Sequence, residues 1–484
     1  MDRQNLTLLT DFYELTMMQG YFKHKDQNKT VIFDAFFRVN PFSGGYSIMC
    51  GVEQLVKYLD ELHFSSQDIE YLRSLNTFDA DFLDYLADFK FTGDVYCIPE
   101  GSLIFPREPL VKVVAPIMQA QLVETAILNI INHQSLIATK AARICHAANG
   151  APVMEFGLRR AQGPDAGTYG ARAAVIGGCC GTSNVLTGEL FDVPVLGTHA
   201  HSWIMSFDSE LEAFKTYAQL YPNGCTLLVD TYDTLKSGVP NAIRTFEWMK
   251  EQGLTLNHIG VRLDSGDLAY LTKKVRKMLD DAGFPQAKIT CSNDLDEYLI
   301  NSLFQQGAKI DSFGVGTHLI TAKDTPSFGG VYKLAAVKRP DGTFEPKIKL
   351  SENTEKITNP GNKKIYRVYE KDSGKIKADL ICLEDETFTE DQPLELFDPL
   401  EPWKRTTLQP GEFTLREMLI PIFQGGKCVY NFRKTMEIRD YCLKEQDTLW
   451  EESRRLTNPH QMYVDLSQNL YDMKIGLLNQ MSKQ

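Results

Sequence analysis

Between residues 150 and 335 one arrangement recurs, and it leaves few folds open. A short apolar run ends in polar or glycine residues, and a stretch with helical spacing follows. Ala151-Pro152-Val153-Met154 ends in Glu155-Phe156-Gly157, and Val193-Pro194-Val195-Leu196 ends in Gly197-Thr198-His199-Ala200-His201. Residues 226–229 end in Asp230, and 258–263 end in Asp264-Ser265-Gly266-Asp267. Residues 288–291 end in Ser292-Asn293-Asp294, and 310–313 end in Gly314-Val315-Gly316-Thr317. Strands alternating with helices imply a parallel sheet, open or closed into a barrel. In such barrels the chemistry gathers at the carboxyl ends of the strands. Those are the ends that carry the charged residues and glycines here.

The flanks read differently. Residues 1–140 form an N-terminal α/β domain. Its first helix is expected near 11–18 with Thr10 as N-cap, a strand at 30–39, and a long helix at 119–142 closing with Lys140 and Arg143. The barrel is assigned to 141–340. A β-rich segment, 341–400, is expected to pack back on the first domain, with strands at 347–350, 364–369 and 378–383. Residues 401–484 form a mixed, partly helical C-terminal extension.

A chain of 484 residues supports several domains. Its formal net charge of −12 argues against a nucleic-acid partner, whose footprint is a basic face. No apolar run approaches the roughly 20 residues of a membrane span, and Met1-Asp2-Arg3-Gln4-Asn5 does not open a secretory leader. Ten cysteines without a CxxC spacing fit free thiols in a reducing, cytoplasmic setting.

If such an acidic chain handles anions, it needs a local basic cluster. Arg159, Arg160, Arg172, Arg262 and Lys333, with Lys140 and Arg143, are the candidates. Ion pairing is the plain alternative for each, but their recurrence near strand ends favours an anion site. Gly314 and Gly316 suit a backbone nest for a phosphate. The glycines of Gly177-Gly178-Cys179-Cys180-Gly181 suit either ligand approach or tight packing. No Walker A sequence occurs, so a nucleotide must bind without a P-loop. The acidic set is Glu155, Asp230, Asp264, Asp267 and Asp294, suited to Mg²⁺, to sugar hydroxyls or to orienting arginines. His199 and His201 admit three readings: a metal pair of a barrel hydrolase, a core histidine, or a nucleophilic imidazole that carries a phosphoryl group.

The chain resembles nicotinate phosphoribosyltransferases over nearly its full length. The matching segments are TDFYELTM at 10–17, FGLRRAQGPDAG at 156–167, GTSNVL at 181–186, GTHAHS at 197–202, RLDSGDL at 262–268, SND at 292–294, DSFGVGT at 311–317 and KLSENTEKITNPGNKK at 349–364. The resemblance implies a type II phosphoribosyltransferase, an irregular, incomplete α/β barrel with an N-terminal α/β domain and a C-terminal extension, acting as a homodimer. It implies nicotinate, 5-phosphoribosyl 1-diphosphate and ATP as substrates, with Mg²⁺, and His201 as the phosphorylated histidine. It also implies a pyridine ring stacked between Phe156 and Tyr13 of the partner subunit. Arg159, Arg262, Thr198, Thr317 and Lys333 then face ligand and phosphates, Asp264 and Asp294 lie near ribose and Mg²⁺, and Gly314 and Gly316 near the 5′-phosphate. Ser183 stands where a nicotinamide enzyme of this fold places an Asp, which favours the acid over the amide. A nicotinamide or quinolinate enzyme of the same fold, and an HxH metal hydrolase, are the rival expectations.

Overall fold

The computed structural model describes residues 5–351 and 356–481. Residues 1–4, where the lack of a leader was read, and 352–355, inside the matching run at 349–364, lie outside the described residues. The chain divides into two compact units. One comprises 137–326 with 434–439; the other comprises 1–136, 327–433 and 440–484.

The 137–326 unit is built on a six-stranded sheet. Its spatial order is Gly181–Thr182, Val153–Glu155, Ser312–Val315, Lys288–Cys291, Gly260–Leu263, Thr226–Leu228. Every pairing in it is parallel, as expected for a partial α/β barrel. Helices separate the strands, and their boundaries follow from local chemistry. Pro164 occupies the first turn of Pro164–Gly177, where its missing N–H costs nothing, and Gly178 ends it with φ 132°. Asn184, Asp267 and Asp296 cap Val185–Phe191, Leu268–Asp281 and Glu297–Gln305 through their side chains.

The sequence expectation of a strand at 193–196 is corrected. That segment makes only an isolated bridge from Val195 to Thr182. It stays extended because Thr182 N–H donates to Pro194 O (3.0 Å) and Leu196 N–H donates to Thr182 O (2.9 Å). Pro194 has no N–H to give, and its partner strand is two residues long, so a ladder cannot grow. The glycine loop at 177–181 takes the packing role. A Cβ on Gly177 would stand 2.2 Å from Ala138 O.

The other unit holds a seven-stranded sheet ordered Phe344–Pro346, Val331–Lys338, Thr30–Phe36, Val111–Pro116, Asp94–Cys97, Ile420–Gln424, Lys427–Cys428. A second sheet joins Phe413–Glu417, Lys363–Glu370, Ile376–Leu383 and Tyr463–Leu466. Four local expectations change here. The first helix, Phe12–Lys23, has Asp11 at its N-cap position, while the Thr10 hydroxyl donates to Leu122 O instead (3.2 Å). The strand expected at 30–39 ends at Phe36. The helix expected at 119–142 is two helices, Ile117–Leu122 and Glu124–Ala147, so Lys140 and Arg143 are interior to the second. Residues 347–350 form no strand, and Phe344–Pro346 pairs in their place.

Candidate active site

The carboxyl ends of the parallel strands in the 137–326 unit carry a connected set of polar groups. Three of the strands are followed by a residue that extends the ladder: Phe156 N–H donates to Val315 O, Val229 N–H to Arg262 O and Ser292 N–H to Leu263 O. This fixes which side chains emerge together.

Arg262 and Thr198 form one link. Arg262 Nη1 donates to Thr198 Oγ1 at 2.5 Å, and the Thr198 hydroxyl donates to His199 O at 3.2 Å. Asp264 Oδ1 lies 3.9 Å from Arg262 Nη2. Burial pulls the Arg262 guanidinium below its usual range, while Asp264 and Asp230 oppose that shift and Arg159 adds to it. Asp230 is the next link. Its Oδ2 accepts from Asp264 N–H (2.9 Å) and from the Ser265 hydroxyl (2.6 Å), while its Oδ1 is buried with no partner. The Ser292 hydroxyl donates to Asp264 Oδ1.

The two histidines have different surroundings. His201 opens the helix His201–Met205, half-buried, and its Nδ1 shares a hydrogen bond with Thr231 Oγ1 at 3.0 Å. His199 is buried. Its Nε2 accepts from Leu228 N–H (3.3 Å), and its ring packs edge-on against Tyr217. Burial, with Arg262 and His201 as neighbouring charges, pushes the His199 imidazolium down to about 4, so His199 is neutral at pH 7. The metal-pair reading gains no geometric support. His199 spends Nε2 on the backbone, so that nitrogen is not free to join His201 at a metal ion.

Glu155 is a buried brace. Thr182 Oγ1 donates to its Oε2 at 2.6 Å, Gly157 N–H donates to its Oε1, and burial raises its carboxyl above the usual range. Asn184 N–H donates to Thr182 Oγ1 and Ser183 N–H to Glu155 O, so Ser183 is placed by the same brace. Phe156 follows. Its ring occupies the space beside Gly314, where a Cβ would lie 2.5 Å from Phe156 Cδ2. Gly314 thus makes room for an aromatic ring. Gly316 sits under the Phe156 carbonyl and precedes the short helix Thr317–Ile320.

Other candidates have plainer roles. Lys140 and Arg143 close on buried Glu297, at 2.7 and 3.0 Å. Arg172 is buried over the Phe191 ring. Asp267 caps its helix by accepting from Tyr270 N–H. Arg159, Arg160 and Asp294 are exposed at the ends of their strands. Tyr13 and Lys333 belong to the other unit. The Tyr13 hydroxyl reaches Glu124 Oε1 (3.5 Å), and Lys333 Nζ donates to Tyr332 O (2.8 Å). Sequence reasoning missed Thr231, whose one signal was its position directly after Asp230 at a strand end.

Three family models match the chain: the nicotinate phosphoribosyltransferase N-terminal domain over 8–132, the nicotinate phosphoribosyltransferase family over 152–373, and the C-terminal domain over 362–474. A nicotinate phosphoribosyltransferase of Bacillus subtilis (strain 168) is 44% identical over 476 residues, 98% of this chain and 96% of that one. The chain belongs to the nicotinate phosphoribosyltransferase family. A member of this family from Homo sapiens is 32% identical over 522 residues, covering 96% of this chain and 95% of its own. The crystal structure of human nicotinic acid phosphoribosyltransferase aligns with a TM-score of 0.83 at 29% identity, over 97% of this chain and 99% of that one. The family fold is thus an irregular, partial α/β barrel with an N-terminal domain and a C-terminal extension.

Proposed function

We propose that this protein joins nicotinate to 5-phosphoribosyl 1-diphosphate, giving nicotinate mononucleotide and diphosphate, the first step of NAD salvage from nicotinate. ATP hydrolysis to ADP and phosphate is coupled to it through phosphorylated His201. The observation that carries the reading is the placement of His201, its Nδ1 held by Thr231 in a unit that also gathers Arg262, Thr198, Asp230 and Asp264 at its strand ends.

With Nδ1 engaged, Nε2 attacks the γ-phosphorus of ATP. An N–P bond forms, the bond from phosphorus to the β,γ-bridging oxygen breaks, and ADP leaves. Water later takes the phosphoryl group and restores the imidazole. In the transfer itself the pyridine nitrogen attacks C1 of the ribose as the C–O bond to diphosphate breaks. No proton need move, so catalysis rests on positioning and on charge stabilisation. Phe156 offers one face for the pyridine ring, and Tyr13 of the partner subunit offers the other across a shared homodimer site. Ser183 donates to the nicotinate carboxylate. Arg262, Arg159 and Thr198 face ligand and phosphates, and Gly314, Gly316 and Thr317 border the 5′-phosphate.

The carboxylates fit Mg²⁺, which binds through one or two protein oxygens together with substrate phosphates. Asp264 and Asp294 would hold it, and the unpartnered Asp230 Oδ1 is a further oxygen at this end of the sheet. Bound there, the ion would neutralise charge on the diphosphate. The setting is the cytoplasm. No helix among the described residues is long and apolar enough to cross a membrane.

The test is product analysis with purified protein, 5-phosphoribosyl 1-diphosphate, Mg²⁺ and either nicotinate or nicotinamide, with and without ATP. Nicotinate mononucleotide, formed faster with ATP, is expected. Turnover of nicotinamide in preference to nicotinate contradicts the reading.

A further inference from the structure

A cationic cavity lies wholly within the unit formed by 1–136, 327–433 and 440–484. It encloses about 40 Å³, and its charged lining is Asp34, Arg107, Lys363 and Lys474, three cations against one carboxylate. In a chain of net charge −12 that local balance runs against the global one.

The single carboxylate is already committed. Asp34 Oδ2 pairs with Lys363 Nζ at 2.7 Å, and both side chains are buried. Lys363 also donates to Gly361 O (2.7 Å). Lys474, on the helix Gln468–Met481, has only a neutral partner among the described residues: its Nζ donates to Asn359 Oδ1 at 2.9 Å. Arg107 is fixed by its backbone, with φ 75° and its N–H donating to Phe37 O, and its guanidinium makes no ion pair among the described residues. Burial, then Arg107 and Lys363 as like charges, pushes Lys474 down to about 8. Cations held together without compensation are costly, and an anion between them removes the cost.

A neutral group points the same way. Thr358 is 5% exposed and lines this cavity, yet its Oγ1 has no hydrogen-bond partner among the described residues. A buried hydroxyl left unpaired is rare and calls for an acceptor. Among the described residues, two cations without anionic partners, an unpaired hydroxyl and a small volume describe a site for one tetrahedral oxyanion. The volume exceeds the roughly 10–15 Å³ that one water needs by the same measure.

We propose that this cavity is a binding site for a single phosphate group, taken from inorganic phosphate or from the phosphoryl end of a phosphate monoester. Arg107 and Lys474 supply the charge, and Thr358 donates to a phosphate oxygen. The site rests on residues to which the proposed transferase chemistry assigns no role.

Calorimetric titration of the full chain tests it, with inorganic phosphate and with glycerol 3-phosphate as probes. Lys474→Met is expected to lose one phosphate site per chain or to weaken it at least tenfold, and Lys474→Arg to retain it. Thr358→Val, which deletes only the hydroxyl, is expected to weaken the same site and serves if the Met variant fails to fold. Tighter binding of inorganic phosphate assigns the free ion; tighter binding of the monoester assigns a phosphorylated metabolite. Equal site number and affinity in wild type, Lys474→Met and Thr358→Val, or no binding of either probe, overturns the proposal.

Discussion

Replacing Gly314 by alanine tests whether the Phe156 ring forms a wall of the pyridine pocket. The new Cβ would stand 2.5 Å from Phe156 Cδ2, 2.7 Å from Cε2 and 3.5 Å from Ser292 Cβ. Non-bonded carbons rest at about 3.5–4.0 Å, so the ring must withdraw by roughly 1 Å. Overpacking of this kind costs about 1–3 kcal/mol when it is absorbed in place. Here the ring has solvent on one side and yields, at the expense of its stacking position. A 1 Å misplacement at a reacting centre costs up to about 100-fold, and a lost aromatic stack about 0.5–1.5 kcal/mol. Together they place kcat/KM for nicotinate about 10–100-fold below wild type, or about 1.4–2.7 kcal/mol of transition-state stabilisation. Steady-state kinetics with nicotinate as the varied substrate reads this directly, with thermal melting as the control for folding. Phosphorylation of His201 should persist, because Gly314 touches neither His201 nor Thr231. A well-folded Gly314→Ala with unchanged kcat/KM would remove Phe156 from the pocket.

Three further outcomes are expected. Ser183→Asp sets a carboxylate against the nicotinate carboxylate and should raise KM for nicotinate; unchanged kinetics for acid and amide would take Ser183 out of specificity. Thr231→Val deletes the Nδ1 partner of His201, a bond worth about 0.5–1.5 kcal/mol, and should slow phosphorylation from ATP about 2–10-fold in a single-turnover assay. His199 is held down to about 4 against an unfolded value near 6.5. The unfolded chain therefore binds the extra proton first as pH falls. Stability from this group is complete above about pH 6.5, declines toward pH 4 and totals up to about 3 kcal/mol. A His199→Gln variant should show a shallower acid limb in denaturant unfolding.

The alternation of short apolar runs marked the parallel sheet, and five of the six runs overlap one of its strands. The sixth, at 193–196, failed for a local reason: Pro194 interrupts the ladder, and its neighbour Gly181–Thr182 is too short to show a period. Charge type was legible, but pairing was not. Lys140 and Arg143 looked like anion ligands until Glu297, more than 150 residues away, appeared between them. The two histidines could not be separated by composition or spacing. What distinguishes them is that His199 Nε2 accepts the N–H of Leu228, on the strand Thr226–Leu228, while His201 Nδ1 meets Thr231, just beyond that strand's end. That the ring of Phe156 fills the space beside Gly314 was not legible either, because nothing local in the sequence shows it.

The most direct test of the central claim is phosphoryl transfer to His201. Incubation with γ-labelled ATP and Mg²⁺ should leave acid-labile label on a peptide containing His201, absent in His201→Asn, and addition of nicotinate with 5-phosphoribosyl 1-diphosphate should discharge it. Turnover that ATP still stimulates with no label on His201, or with label on His199 instead, would contradict the account.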